Sequence, residues 1–320
     1  MTRHLGRRGA LALTAGLALP ALSMRPAEAF RRNPLELLVG APPSSPPDLW
    51  ARNIAPFLER HWTRVSVGVR NHPGRGGLEA ISVLAASPAD IRLIGIVTAP
   101  LLLARAIEAG DASPLGRVDP LAAVLEESMV LVGPLDGPAD IAALRAVAAG
   151  RPLGTPAPGS AGHVAALRLD SRLDLSILAF PSAAAARQAA LSGHVPAAML
   201  SLPDAIVALR EEKLLALGVT AARRSALLPD LATFREQGID LVATAQRGFA
   251  LAPGVPEPVR DRLLAGLEAL TQDPDFIAAA TTQGQTARFL GPATWMRLLT
   301  RVDEDLRRRW QDEPWLPRRV

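Results

Sequence analysis

The sequence predicts an α/β protein with largely parallel sheets, and three observations carry that expectation. Short apolar runs alternate with longer Ala/Leu/Arg-rich stretches of helical period. The chain has 320 residues, enough for two domains that each bury a core. It has no cysteine, which excludes disulfides, Cys-ligated zinc, thiol catalysis and a Cys-linked lipid anchor, so packing alone must hold those cores.

Residues 1–29 read as a leader. Arg3, Arg7 and Arg8 form a basic start, Gly9 to Met24 is uncharged and mostly apolar, and Ala27-Glu28-Ala29 has the small-x-small form of a cleavage site. The apolar stretch is short for a bilayer core of about 30 Å, and Pro20 interrupts it. These features predict export and a mature chain starting at Phe30. Arg7-Arg8 followed by Leu11 loosely fits a twin-arginine signal, with Gly6 where Ser or Thr is expected, so both the Sec and Tat routes stay open.

Strand-like runs follow at Leu35–Val39, Val65–Val69, Leu93–Val97, Val130–Val132, Ile177–Phe180, Ala197–Leu200, Leu215–Val219 and Phe249–Leu251. Helical stretches lie between them. Asp48 to Trp62 places Trp50, Ile54, Phe57, Leu58 and Trp62 on one side, and the last segment, Glu257 to Arg309, is helical in period and ends in a polar tail. Val130-Leu131-Val132-Gly133-Pro134 and Phe249-Ala250-Leu251-Ala252-Pro253 are similar strand-then-Pro segments. Two such crossings suit a chain that leaves one lobe, builds a second and returns. The expected lobes are 30–132 with 250–320, and 133–249.

The net charge is +4, yet the isoelectric point is about 10.8. Lys213 is the single lysine and Tyr is absent, so nearly all positive charge is arginine and little titrates between neutral pH and about pH 11. Loss of residues 1–29 removes four arginines and one glutamate and leaves the remainder near +1. A nearly neutral chain has no electrostatic reason to bind nucleic acid.

Three strands run into a loop and then a serine placed to cap a helix. In Gly40-Ala41-Pro42-Pro43-Ser44-Ser45-Pro46-Pro47-Asp48, Ser45 fits an N-cap, Pro46 the first helical position and Asp48 the acid of a capping-box-like pair. The second is Gly154-Thr155-Pro156-Ala157-Pro158-Gly159-Ser160-Ala161-Gly162-His163, and the third Phe180-Pro181-Ser182. Each places unpaired backbone N–H groups at the carboxyl end of a strand, where open α/β sheets bind ligands and anions are favoured. Ser160 and His163, at i,i+3 on a helix start, lack the geometry of a nucleophile and base, and no G-x-S-x-G elbow is present. His61, His72, His163 and His194 have no metal-ligand spacing, so no metal and no cofactor is expected. Gly74-Arg75-Gly76-Gly77 lacks the spacing of a phosphate loop and reads as a tight turn.

These residues resemble the substrate-binding proteins of tripartite tricarboxylate transporters, the Bug-type periplasmic receptors, over essentially the whole mature chain. Asn71 to Gly77 is similar to the family's N-R-P-G-A-G-G, and Leu38 to Asp48 to its first ligand loop, V-P-F-P-P-G-G-S-T-D. Gly154 to His163 resembles the second loop, G-S-A-G-T-G-S-P-S-H. Thr220 to Thr233 resembles T-S-A-K-R-S-P-A-L-P-D-V-P-T, and Gly248 to Pro253 resembles G-L-L-A-P. The resemblance implies a type II periplasmic-binding-protein fold: two α/β lobes closing on a small carboxylate, with a membrane permease as partner. It implies a periplasmic, monomeric receptor rather than an enzyme. Carried onto matching positions, it nominates Ser44, Ser45 and Asp48 from the first loop and Thr155, Gly159, Ser160 and His163 from the second. Thr98 and Ser182 are secondary candidates. Asp48 and His163 also read as a capping carboxylate and a helix-start packing group.

The chain departs from the family at several places. Ser44-Ser45-Pro46-Pro47 replaces Gly-Gly-Ser-Thr and removes backbone donors, Leu78 replaces an Asn, and Pro196 to Ser201 lacks both acids of D-L-M-F-D-N. Gln246-Arg247 replaces the aromatic pair before Gly248, making Arg247 either a new anion partner or a solvated rim residue. Two alternatives stay open: a diverged sensor or partner-binding module on this fold, and a Ser160-dependent hydrolase.

Overall fold

The computed structural model describes residues 33–89, 92–147, 151–173 and 175–316; the leader read in residues 1–29 lies outside them. β1 (Asn33–Val39), β2 (Val65–Asn71) and β3 (Leu93–Ala99) alternate with α1 (Pro46–His61), α2 (Leu78–Ala85) and α3 (Leu101–Glu108). A 16-residue strand, β4 (Asp119–Pro134), follows. The alternation continues through α4 (Ile141–Val147), β5 (Leu153–Thr155), α5 (Ala161–Leu173), β6 (Ile177–Ala179), α6 (Ala183–Leu191), β7 (Ala198–Ser201), α7 (Leu202–Arg210) and β8 (Leu214–Val219). It closes with β9 (Thr244–Leu251), α8 (Glu257–Gln272), α9 (Pro274–Thr282), β10 (Thr286–Leu290) and α10 (Pro292–Asp312).

The strand order is β2-β1-β3-β9-β4-β7-β5-β6, with β8 and β10 also paired to β4. Pairing is parallel at both ends, β1 with β2 and β3, and β5 with β6 and β7. Every pairing of β4 and β9 is antiparallel. The sheet is therefore mixed, which corrects the expectation of largely parallel sheets. The cause is connectivity: β4 carries the chain from one part of the sheet to the other, and β9, which follows β8 with no helix between, brings it back and inserts antiparallel between β3 and β4, strands that α3 links as a parallel pair would be.

β4 serves both parts of the sheet. Asp119 to Ser128 pairs with β9, and Met129 to Pro134 with β7 and β8. At the changeover the buried Thr220 hydroxyl accepts the Met129 N–H at 2.9 Å and donates to the Ala243 carbonyl, tying three passing segments together. Helices cover both faces. Trp50, Ile54 and Leu58 of α1 pack with Phe249, Leu263 and Leu267 on one side, and Leu103, Trp295 and Leu299 pack on the other. The Trp50 and Phe249 rings lie 5.8 Å apart. Beyond the changeover, Leu169, Phe234 and Leu241 form one core and Ala190, Leu200 and Ile206 another. Each large side chain so buried contributes roughly 1.5–3 kcal/mol.

Two further expectations are corrected. Glu257 to Arg309 is not helical throughout: β10 interrupts it, its Thr-Ala-Arg-Phe-Leu being too short for a clear period. The strand read at Val130–Val132 is the end of β4, whose earlier part is disguised by Pro120, by register shifts and by the Glu126-Glu127 pair.

Candidate ligand-binding site

A cavity of about 530 Å³ is lined by the first turns of five helices: Pro46 of α1, Leu101 of α3, Ala161 of α5, Ala183 of α6 and Asp204 of α7. Such ends carry N–H groups without intrahelical acceptors and favour an anion by about 0.3–1 kcal/mol each, up to about 2 when partly buried. The starts of α1 and α7 give least here, because Pro46, Pro47 and Pro203 have no N–H, the Asp204 N–H is taken by the Ser201 hydroxyl, and Asp204 adds its own carboxylate. The starts at Ser45, Ser160 and Ser182 are those the sequence marks; the starts of α3 and α7 are additional.

The first loop is held by its own side chains. Ser45 occupies the N-cap position of α1 with two prolines following, but its hydroxyl donates to the Pro42 carbonyl instead of capping. Asp48, 1% exposed, ties the loop to the helix start: it accepts the Ser44 N–H at 2.8 Å, Arg52 at 3.0 Å and Asn71 at 2.9 Å. The Arg52 hydrogen bond, aided by those of Asn71 and Ser44, holds the Asp48 carboxyl down at about 2, against the opposing pull of burial. Asn71 also donates to the Ala41 carbonyl at 3.0 Å. The glycine turn read at 74–77 supports this loop at close quarters: a Cβ on Gly40 would lie 2.4 Å from the Gly77 Cα.

The second loop is gripped from α3. Arg105 donates to the Pro158 carbonyl at 3.1 Å, and Gly159, at φ +74, lies against Ala104 and Glu108. The Ser160 hydroxyl accepts the His163 N–H at 3.3 Å, and His163 Nδ1 accepts the Gly159 N–H at 3.3 Å. Burial, with the charges of Arg105 and Arg309, holds the His163 pKa down at about 4, so the ring is neutral at physiological pH. Its Nδ1 lone pair is taken by Gly159, and the hydroxyl of Ser160 is committed to the helix start. That arrangement does not present a nucleophile activated by a base.

The charged wall comes from β4, β9 and α7. Arg247 Nη2 lies 3.1 Å from Glu127 Oε1, both side chains are nearly buried, and the guanidinium sits 4.9 Å over the Trp50 ring. Gln285 donates to the same Oε1 at 2.7 Å, while Arg247 Nε is buried without a partner. On α7 the Ser201 hydroxyl donates to Asp204 Oδ2. Burial pushes the Asp204 carboxyl up from its ordinary value; the Ser201 hydrogen bond opposes, the Glu127 charge adds to the push, and Arg187 and Arg247 oppose it.

Of the sequence candidates, Thr98, Ser160 and Arg247 line the cavity, and Ser182 caps α6 beside the lining Ala183, its hydroxyl accepting the Ala185 N–H at 3.1 Å. Ser44, Ser45, Asp48, Thr155, Gly159 and His163 stand behind the wall and shape the two loops; Thr155 is fully buried and donates to the Pro156 carbonyl at 3.0 Å. Sequence reasoning missed Glu127, Asp204 and Gln285. An acid inside the apolar β4 run was a signal for Glu127, and Asp204 lies three residues beyond the segment read as lacking acids. Two other cavities, of about 530 and 670 Å³, do not gather helix starts in this way: one is lined by paired charges such as Arg168 and Asp305 of α5 and α10, the other by the Ala221–Leu227 loop and β10. Among the described residues no group of three or more His, Asp or Glu could hold a metal.

A mixed α/β fold whose two sheet regions share a strand, with helix starts from both around one pocket, defines a solute-binding protein of the periplasmic-binding-protein type. The family model described as "Tripartite tricarboxylate transporter family receptor" matches residues 51–299, and the chain belongs to that family. It is 23% identical over 283 residues, 86% of each chain, to the curated "UPF0065 protein in gbd 5'region" of Cupriavidus necator. Its fold is similar to that of the periplasmic binding protein BugD, with TM-score 0.72 and 22% identity over 88% of this chain and 97% of that one. It is also similar to MatC from Rhodopseudomonas palustris solved with bound malate, with TM-score 0.69 and 21% identity over 86% of this chain and 98% of that one.

Proposed function

We propose that the protein is an extracytoplasmic receptor that captures a small carboxylate between two lobes, 30–132 with 250–320 and 133–249, and delivers it to a membrane permease. Removal of residues 1–29 on export leaves a periplasmic, monomeric form. The observation that carries this reading is the convergence of helix starts on one pocket, those of α3, α5 and α6 having no proline in their first turns. Ends worth roughly 0.3–1 kcal/mol each can hold a carboxylate without a buried arginine of their own. Malate bound to MatC supports the ligand class, and family membership supports the permease. Closure follows if the ligand binds the closed arrangement better than the open one, since a ligand shifts an equilibrium only by its differential affinity.

Thermal unfolding of the purified protein against a panel of carboxylic acids tests the reading. A ligand at about 100 times its Kd adds roughly 2.7 kcal/mol, raising Tm by several degrees. No rise with any acid counts against a receptor. Ester turnover lost in Ser160→Ala would support a hydrolase in its place.

A further inference from the structure

The charges of the pocket narrow the class of carboxylate, an inference that rests on the receptor reading above. Arg247 is the only cationic side chain among the described lining residues, and its charge is already shared with Glu127. Against that one lining cation stand two acids, Glu127 and Asp204; Arg187, behind the wall, donates to the Asp204 backbone carbonyl and not to its carboxylate. Glu127 is only 8% exposed, and its partners Arg247 and Gln285 both meet Oε1, leaving Oε2 without a partner among the described residues. Asp204 commits Oδ2 to the Ser201 hydroxyl and has no partner for Oδ1 among them.

A dicarboxylate held at one end by the starts of α3, α5 and α6 would bring its second carboxylate against this acidic wall, where like charges repel. An ammonium suits the wall instead, being a compact cation with three donors and no acceptor. We propose that the pocket selects a small amino acid over a dicarboxylate of equal length, the carboxylate meeting the helix starts and the ammonium meeting Glu127 and Asp204. A cation beside Asp204 also relieves the penalty that burial places on its ionised form.

The test is calorimetric titration of the purified chain with isosteric pairs in which one carboxylate is exchanged for an ammonium. These are malonate and glycine, succinate and 3-aminopropanoate, and glutarate and 4-aminobutyrate, extended to the common L-amino acids and the straight-chain dicarboxylates up to octanedioate. The expected result is an amino acid that binds at least about tenfold more tightly than its dicarboxylate counterpart, tenfold being ~1.4 kcal/mol. A dicarboxylate that binds as tightly or more tightly overturns the inference and leaves the receptor reading standing. Binding by no acid of either kind overturns both. Asp204→Asn, which keeps an acceptor for Ser201, is expected to weaken the amino acid about tenfold and to leave any dicarboxylate affinity unchanged or improved. Undiminished amino-acid affinity overturns the assignment, and if that variant does not fold, Glu127→Gln carries the same test.

Discussion

The two loops that lead into α1 and α5 solve one problem with opposite electrostatics. In each, a residue with positive φ, Ser44 at +63 and Gly159 at +74, precedes a serine. In each, the side chain three residues past that serine turns back to accept the backbone N–H of the positive-φ residue: Asp48 from Ser44, His163 from Gly159. The first lock is a carboxylate gripped by Arg52 and Asn71. The second is a neutral imidazole flanked by arginines and kept uncharged by burial. A helix start can thus be locked by a charge that finds local partners, or by a group that gives up its charge where partners of opposite sign are missing.

Acid should break the two locks in different windows, with the largest effect at the second. His163 has a folded pKa near 4, below its ordinary 6.5, so its contribution is complete above pH 6.5 and is lost as pH falls toward 4. That loss is of order 3 kcal/mol, since each tenfold change in proton affinity is worth ~1.4 kcal/mol. Urea unfolding midpoints across this range should fall in the wild type and stay flatter in His163→Gln. Asp48, held near 2 against an ordinary 3.8, keeps its contribution above about pH 4 and loses it only toward pH 2. Asp273, held low by His61 and Arg60, titrates in the same lower window, so Asp48→Asn should flatten that limb only in part.

The positive-φ positions probe the same contrast. Gly159→Ala forces a Cβ to within 2.8 Å of the Ala104 Cβ at φ +74, and should cost about 1–3 kcal/mol in denaturant unfolding. The serines come next. Ser160→Ala removes the hydroxyl that accepts the His163 N–H and should cost about 1 kcal/mol. Ser45→Ala loses only a bond to the Pro42 carbonyl and should stay within about 0.5 kcal/mol. The smallest effect has the opposite sign: Ser44→Gly relieves the left-handed backbone and should stabilise by roughly 0.5 kcal/mol, read as a small rise in Tm. Destabilisation by Ser44→Gly would mean that its side chain does more than tolerate the turn.

Both loops were legible because their chemistry is local. Serine, proline and glycine at fixed offsets mark helix starts, and Asp48 and His163 each accept a backbone N–H from four residues back. The parallel β1 to β3 units were legible for the same reason, apolar strand and amphipathic helix each declaring a period. The charged wall was not. Glu127 meets Gln285 across 158 positions, and only the fold brings β4, α7 and the α9–β10 turn to one place. Arg247 stood out because it breaks a family pattern, yet its partner Glu127 lay hidden in a strand of which the sequence displayed only the end.

That strand has a thermodynamic consequence. β4 donates and accepts main-chain hydrogen bonds with β9 and β10 along its first part and with β7 and β8 along its second. Neither part of the sheet can melt without stripping a strand from the other, so heat should undo both parts in a single cooperative step. Calorimetric and van't Hoff enthalpies should then agree, as they would not for two lobes joined by a linker.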